Sequence, residues 1–220
     1  MYKQKPHFEC EMPDSNVPLH VLVLNASLKH GPDISNTEEV ANMVVEEMKP
    51  FGKVTSETIR LADKNIEVGL SFEESDDDEW PEIAEKLRTA DIVLFATPIW
   101  WGQRSSLMQR VIERMDAFDE EAIKDGREAF LNKVAGVVIT GTEDGAQHVL
   151  ASIMEVLTFM NFTLPPQCCT YWVGEVGIDP KTERDRRLKN DAVPHMAKNT
   201  ARNLVYYAQL LKKYPLTAKK

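Results

Sequence analysis

A chain of 220 residues is long enough to bury the core of one α/β domain, and its net charge of -9 argues against a basic face for nucleic acid. Hydrophobic residues make up 43% and charged residues 28%, the balance of a globular protein rather than a disordered one. No run approaches the roughly 20 apolar residues that span a membrane, and the segment MYKQKPHFECEMPDS lacks the apolar core of a secretory signal. We therefore expect a cytoplasmic protein without a membrane span.

Strand-like and helix-like segments alternate along the chain. Five strands are predicted, at residues 19–25, 53–61, 91–97, 134–140 and 170–173. Residues 19–25 form a mostly apolar run typical of a strand buried on both faces, whereas 53–61 alternates like a strand nearer the sheet edge. Helical periodicity predicts helices at 38–49, 80–88, 105–118, 147–160 and 192–213. In the helix at 105–118, one apolar stripe is formed by Leu107, Val111, Met115 and Phe118, and Arg110, Glu113 and Arg114 face elsewhere. Residues 1–18 are interpreted as an N-terminal arm before one domain at 19–220, and 174–190 as a polar connection. Since parallel neighbours need crossover connections, the alternation predicts a parallel sheet with helices on both faces.

Ligands of such sheets bind beyond the carboxyl ends of the strands, which directs attention to three loops. The first follows the strand that ends at Asn25 and carries hydroxyl, amide and ammonium groups before a helix N-terminus. Free backbone N–H groups and the helix dipole favour an anion there, and a phosphate monoester fits. The donors are Ser27, Lys29, Ser35, Asn36 and Thr37. The alternative is a simple helix cap formed by Ser35 or Asn36.

The second loop, TPIWWGQRSS, places two tryptophans directly after the strongest strand signal, DIVLFAT. Aromatic faces beside free backbone amides suit a flat heteroaromatic ring, and Gly102 permits close backbone approach. Alternatively, Trp100 and Trp101 pack beneath the following helix or in a subunit contact.

The third loop, TGTEDGAQH, follows the strand at 134–140. Its glycines and short polar residues are able to present backbone N–H groups to ring carbonyls. The same residues also fit a tight strand-to-helix turn capped by Thr142 or Asp144. The convergence of three such loops at one edge favours a binding site.

These features resemble the NAD(P)H-dependent FMN reductase family of flavodoxin-like flavoproteins. The resemblance covers residues 19–160 and rests on NASLKHGPDISNT, ATPIWWGQRSSLMQRVIERMDAF and GTEDGA. It implies a flavodoxin-like strand order 2-1-3-4-5, with FMN where the order reverses. By this resemblance the FMN phosphate is held by Ser27, Lys29, Ser35, Asn36 and Thr37. The isoalloxazine ring is then surrounded by Pro98, Ile99, Trp100, Trp101, Gly102, Thr140, Gly141, Glu143, Asp144 and Gly145.

The resemblance implies an enzyme that passes hydride from NAD(P)H, as co-substrate, through bound FMN to a small acceptor such as a flavin or quinone. Because the cofactor carries the chemistry, no side chain is nominated as acid, base or nucleophile. The family further implies a homodimer or homotetramer. No metal site is expected, since the three cysteines form no ligand pattern and VGLSFEESDDDEW contains none. Two alternatives stay open, a flavodoxin-like electron-transfer protein and a non-catalytic binding protein on the same fold.

Overall fold

Five parallel strands and one short antiparallel strand form a single sheet in the computed structural model, which describes residues 11–217. The strands are β1 (Pro18–Asn25), β2 (Lys53–Arg60), β3 (Ile92–Trp100), β4 (Gln103–Arg104), β5 (Val134–Gly141) and β6 (Cys169–Val173). The order is β2-β1-β3-β5-β6, with β4 paired antiparallel to the end of β3. When the antiparallel β4 is left out, β5 and β6 are the fourth and fifth strands, and the order is the predicted 2-1-3-4-5.

The central strands are apolar on both faces because helices cover both sides of the sheet. The helices are α1 (Asn36–Met48), α2 (Trp80–Thr89), α3 (Ser106–Arg114), α4 (Asp116–Asp125), α5 (Ala146–Phe159), α6 (Pro180–Leu188) and α7 (Ala192–Lys213). Helices α1 and α7 bury Val44 and Leu204 against one face. Helices α2, α3 and α5 bury Ile83, Val111 and Ile153 against the other. The predicted α/β fold class is thus confirmed.

Strand register brings the three predicted loops to one edge. Asn25 at the end of β1 lies beside Ala96 of β3, and Pro98 of β3 lies beside Thr140 of β5. The segments after these residues therefore emerge next to one another. No helix within residues 11–217 is long and apolar enough to cross a membrane. Most of the predicted N-terminal arm lies outside the described residues.

Two predicted elements differ from the structure. The helix predicted at 105–118 is divided at Met115 into α3 and α4. Both Met115 and Phe118 are buried as predicted, so the apolar stripe continues across the break and does not reveal it. Arg114 was predicted to face away from this stripe but is fully buried, where it pairs with Asp78 at 2.7 Å.

The polar connection predicted at 174–190 contains helix α6. Its sequence, PKTERDRRL, is so highly charged that it has no apolar stripe, and its buried residues are Glu183 and Arg187. The sequence signal that marks the start of this helix is the pair Asp179 and Pro180. Asp179 caps the helix by accepting a hydrogen bond from the Thr182 N–H, and Pro180 occupies the first turn.

Candidate functional site

A cleft of about 320 Å³ lies at the carboxyl edge of β1, β3 and β5. It is lined by predicted residues from all three loops: Ser27, Lys29, Asn36, Thr37, Pro98, Ile99, Trp100, Thr140, Gly141 and Glu143. Its lining also includes four residues that the sequence interpretation did not select: Leu28, Thr142, Trp172 and Glu183. The remaining predicted residues, Ser35, Trp101, Gly102, Asp144 and Gly145, are not part of this lining.

The first loop is held by its own hydrogen bonds. Asn25 Oδ1 accepts from the Ser27 N–H at 3.1 Å, and Ser27 Oγ accepts from the Lys29 N–H at 3.3 Å. The Lys29 ammonium donates to the Ile34 carbonyl at 3.0 Å. These contacts fold the loop over the start of α1 and bring Ser27 and Lys29 to the cleft.

Ser35 is the N-cap of α1, because its hydroxyl accepts from the Glu38 N–H at 3.1 Å. The cap alternative is therefore correct for Ser35, whereas Asn36 is the first helical residue and lines the cleft. The backbone N–H groups of Asn36 and Thr37 make no hydrogen bond within residues 11–217. Free donors at a helix start, together with the helix dipole, favour an anion.

A pair of buried hydroxyls joins the first loop to the end of β5. Thr37 Oγ1 and Thr140 Oγ1 are 2.7 Å apart, and both residues line the cleft. One hydroxyl donates in this pair, so the proton of the other is available to a ligand oxygen.

The second and third loops are held together by one hydrogen bond and one close backbone approach. The Trp101 N–H donates to Glu143 Oε2 at 3.1 Å. Gly145 has a positive φ of 124°, and a Cβ there would lie 2.7 Å from Gly102 Cα. Glycine at 145 therefore permits a backbone approach that no other residue allows. Gly102 and Gly145 thus set the approach of the two loops without lining the cleft.

Neither tryptophan packs beneath the following helix. Trp100 is 48% exposed and lines the cleft, and Trp101 is 85% exposed with a positive φ of 49°. That packing alternative is wrong for both residues. Their exposure leaves large aromatic faces beside the cleft mouth, where a flat ring gains from stacking.

The side of the cleft towards β6 is formed by residues from distant parts of the sequence. Trp172 on β6 donates from Nε1 to Glu183 Oε1 at 2.5 Å. Glu183 Oε2 accepts from Asn36 Nδ2 at 3.2 Å, which connects α6 to the start of α1. Local sequence patterns carry no information on such a contact across 147 positions.

Charge behind the first loop is balanced by ion pairs. Glu39, in the first turn of α1, binds Arg184 and Arg187 of α6. Burial alone would raise the pKa of Glu39, but hydrogen bonds and charges from both arginines outweigh burial and lower it. Glu39 therefore stays ionised and paired with the two arginines of α6.

The donor set fits a flavin phosphate. A phosphate monoester requires hydroxyls, free N–H groups and a cation, all of which the cleft presents at its α1 end. A flat tricyclic ring requires an aromatic wall and close backbone, which the Trp100 and Gly141 side supplies. Within the described part of the chain, no group of three or more His, Cys, Asp or Glu residues is arranged to hold a metal ion.

Comparison with known proteins supports this assignment. The chain is 30% identical over 213 residues to 8-demethyl-8-aminoriboflavin-5'-phosphate synthase of Streptomyces davaonensis, covering 90% of this chain and 80% of the relative. It is 32% identical over 200 residues to the divalent metal cation transporter MntH of Mycobacterium bovis, covering 88% of this chain. The chain spans only 29% of that relative's length.

Solved structures agree on the fold. RosB with a bound 8-demethyl-8-formylriboflavin-5'-phosphate intermediate superposes with a TM-score of 0.79 at 28% identity, covering 91% of this chain and 82% of RosB. An apo NADH:FMN oxidoreductase gives a TM-score of 0.62 at 15% identity, covering 87% of this chain and 89% of that chain, which supports the fold alone.

The family model described as NADPH-dependent FMN reductase matches residues 19–175, which contain all three loops. This match supports FMN as the cofactor and NAD(P)H as the reductant. The chain belongs to the NADPH-dependent FMN reductase family.

Proposed function

We propose that this protein is an FMN-dependent oxidoreductase that takes hydride from NAD(P)H and reduces a small planar acceptor such as a flavin or quinone. The observation that carries the proposal is the joining of an anion-binding helix start to an aromatic wall within one cleft. When bound, FMN supplies the hydride and electron chemistry. The protein therefore needs to bind, orient and shield the ring rather than supply an acid or base.

In this proposal the α1 end of the cleft holds the phosphate. Free N–H groups of Asn36 and Thr37 and the hydroxyls of Ser27 and Thr37 would donate to its oxygens. Lys29 adds a positive charge at the mouth of the cleft. The cap Ser35 keeps the helix start rigid, so these donors are fixed before the ligand arrives.

The other end of the cleft would hold the isoalloxazine ring. Pro98, Ile99 and Trp100 would contact it from β3, and Thr140, Gly141 and Glu143 from β5 and its loop. The contacts of Gly145 with Gly102 and of Glu143 with Trp101 fix the spacing of these two sides. Trp101 would present its exposed face to a second planar substrate.

A second candidate function treats a riboflavin phosphate as the substrate rather than the cofactor. It is favoured by the similarity to the aminoriboflavin phosphate synthase and by the RosB superposition, which exceeds that of the NADH:FMN oxidoreductase. The same phosphate and ring contacts serve both functions. The fate of the flavin distinguishes them.

The deciding assay follows NADH and NADPH oxidation by FMN-loaded protein with quinone and flavin acceptors, and then measures the mass of the extracted flavin. Nicotinamide turnover with an unchanged flavin mass is the expected result. A changed flavin mass on incubation with amino and carbonyl donors, without nicotinamide turnover, would favour the second candidate. Absence of both reactions contradicts the proposal.

The Thr37→Val variant is expected to bind FMN about fivefold to tenfold more weakly, because the loss of a hydrogen bond is worth about 1 kcal/mol. Valine keeps the shape of threonine but removes the hydroxyl. Thr170→Val is the matched control, since Thr170 forms a buried pair with the Thr200 hydroxyl at 3.0 Å but does not line the cleft. Fluorescence titration with FMN measures both variants. Equal losses of affinity would rule out a phosphate contact for Thr37.

A further inference from the structure

Arg187 on α6 is a fully buried cation directly behind the phosphate end of the cleft. Its Nη2 donates to Asn36 Oδ1 at 3.1 Å and to Glu39 Oε2 at 2.8 Å. Its Nη1 has no hydrogen-bond partner within residues 11–217, and its Nε approaches Glu183 Oε1 only to 3.5 Å. Most of the hydrogen-bonding capacity of this guanidinium is therefore unused.

Burying a guanidinium with unused donors costs free energy that its ion pairs only partly offset. Glu39 and Glu183 supply these ion pairs at 2.8 Å and 3.5 Å, and Glu39 also pairs with the exposed Arg184 at 2.6 Å. These carboxylates account for the charge of Arg187 but leave its Nη1 without a partner among the described residues. Its contact with the cleft residue Asn36 points to an additional role in the site.

Asn36 has its side-chain amide held at both ends. Its Oδ1 accepts from Arg187, and its Nδ2 donates to Glu183 Oε2 at 3.2 Å. Arginine only donates and an ionised carboxylate only accepts, so the reversed amide orientation would break both contacts. An amide nitrogen carries two N–H groups, and Glu183 uses one of them. The second stays available at a residue that lines the cleft.

We propose that Arg187 is a positioning residue for the flavin phosphate, which fixes the Asn36 amide as a donor towards the cleft. This inference rests on the proposed phosphate position at the start of α1. It adds a residue of α6 to the phosphate site, although the sequence of α6 carries no phosphate-binding pattern.

The test separates phosphate recognition from general damage by comparing two ligands. FMN and riboflavin share the ring and the ribityl chain, and only FMN has the phosphate. The ratio of the riboflavin Kd to the FMN Kd therefore reports the phosphate contribution. Fluorescence titration yields both constants for the wild type, Arg187→Gln and the control Arg184→Gln. Arg184 lies on the same helix and also binds Glu39, but no contact joins it to Asn36 within the described residues.

Arg187→Gln is expected to reduce the ratio about tenfold, and Arg184→Gln to leave it within about twofold. In an Asn36→Ala background, Arg187→Gln is expected to change the ratio less than it does in the wild type. A folded Arg187→Gln variant with the wild-type ratio would overturn the inference. An undiminished effect in the Asn36→Ala background would overturn the claim that Arg187 acts through Asn36.

If Arg187→Gln does not fold, as judged by near-UV circular dichroism, Arg187→Lys is measured instead. Lysine keeps the charge but lacks the planar fork that reaches Asn36 and Glu39 together, so a decrease of about threefold in the ratio is expected. An unchanged ratio in Arg187→Lys would overturn the inference. If the wild type does not bind FMN, the proposed function itself is contradicted. If the wild type prefers FMN to riboflavin but the Arg187 variants keep the same Kd ratio, only the inference about Arg187 is contradicted.

Discussion

Replacing Asp78 with asparagine is expected to lower the free energy of unfolding by about 3 to 5 kcal/mol, because the change leaves Arg114 as an uncompensated buried charge. The side chains of Asp78 and Arg114 are both fully buried and form an ion pair at 2.7 Å. Asp78 belongs to the acidic segment, residues 73–79, which precedes α2. Asp78 also accepts from the backbone N–H groups of Trp80 and Glu74, and Arg114 donates to the Ser71 carbonyl. Equilibrium unfolding in urea measures the loss.

The neighbouring Asp77→Asn variant is the control. Asp77 is exposed, so its replacement is expected to change the free energy of unfolding by less than about 0.5 kcal/mol. Similar stability of Asp78→Asn and Asp77→Asn would contradict a structural role for the buried pair. In that case the acidic segment would be the solvated lead-in to α2 that its composition suggests.

The buried Asp78–Arg114 pair also predicts that the free energy of unfolding falls in acid. Burial alone would raise the pKa of Asp78, but the Trp80 N–H, the Arg114 guanidinium and further backbone N–H groups outweigh burial and lower it. The folded state therefore favours the ionised carboxylate, and its stabilisation is complete above the ordinary aspartate pKa of about 3.9. It is lost as the pH falls below about 4 towards the lowered pKa. The stability difference between wild type and Asp78→Asn should shrink in that range, and a constant difference would contradict this assignment.

The Gly145→Ala variant is expected to lose at least tenfold in FMN affinity and about 2 kcal/mol or more in stability. Alanine disfavours the φ of 124°, and its Cβ would lie 2.7 Å from Gly102 Cα and 3.1 Å from the Gly102 carbonyl oxygen. Both contacts are with backbone, so no rotation of a side chain relieves them. The turn that carries Trp101 and Gly102 would be displaced. FMN titration and urea unfolding measure the two effects.

Gly126→Ala controls for backbone conformation alone. Gly126 follows α4 with a φ of 68°, and a Cβ there meets nothing within 4 Å. This variant is expected to lose about 1 kcal/mol of stability while FMN affinity is unchanged. If Gly145→Ala also retains full FMN affinity, the close approach of the second and third loops at Gly102 and Gly145 does not set the spacing of the ring site.

The fold was largely predictable because its strands and most helices carry their own periodicity. The alternation of apolar strands and amphipathic helices leaves few topologies for a parallel sheet. Elements whose buried residues are charged were not predictable in this way. Arg114 and Arg187 are buried by ion pairs with Asp78 and Glu39, partners that lie far away in the sequence. A pattern that counts only apolar residues therefore misses helix α6 and also misses the burial of Arg114 in the correctly predicted α3.

The grouping of the three loops was predictable because parallel strands end at the same edge of the sheet. The details within each loop were less so. The sequence alone did not decide whether Ser35 or Asn36 caps α1, and the structure assigns the cap to Ser35. The wall formed by Trp172 and Glu183 depends on where β6 and α6 lie in space. Neither residue has a local pattern that marks it as part of a cleft.

The most direct test of the central claim, that these loops form an FMN site, is the visible absorption spectrum of the purified protein after FMN loading and removal of free ligand. We expect the bands of oxidised flavin to stay with the protein at about one FMN per chain, bound in the cleft at the sheet edge. A colourless protein after loading would contradict the account, since the phosphate donors and the aromatic wall would then hold no flavin.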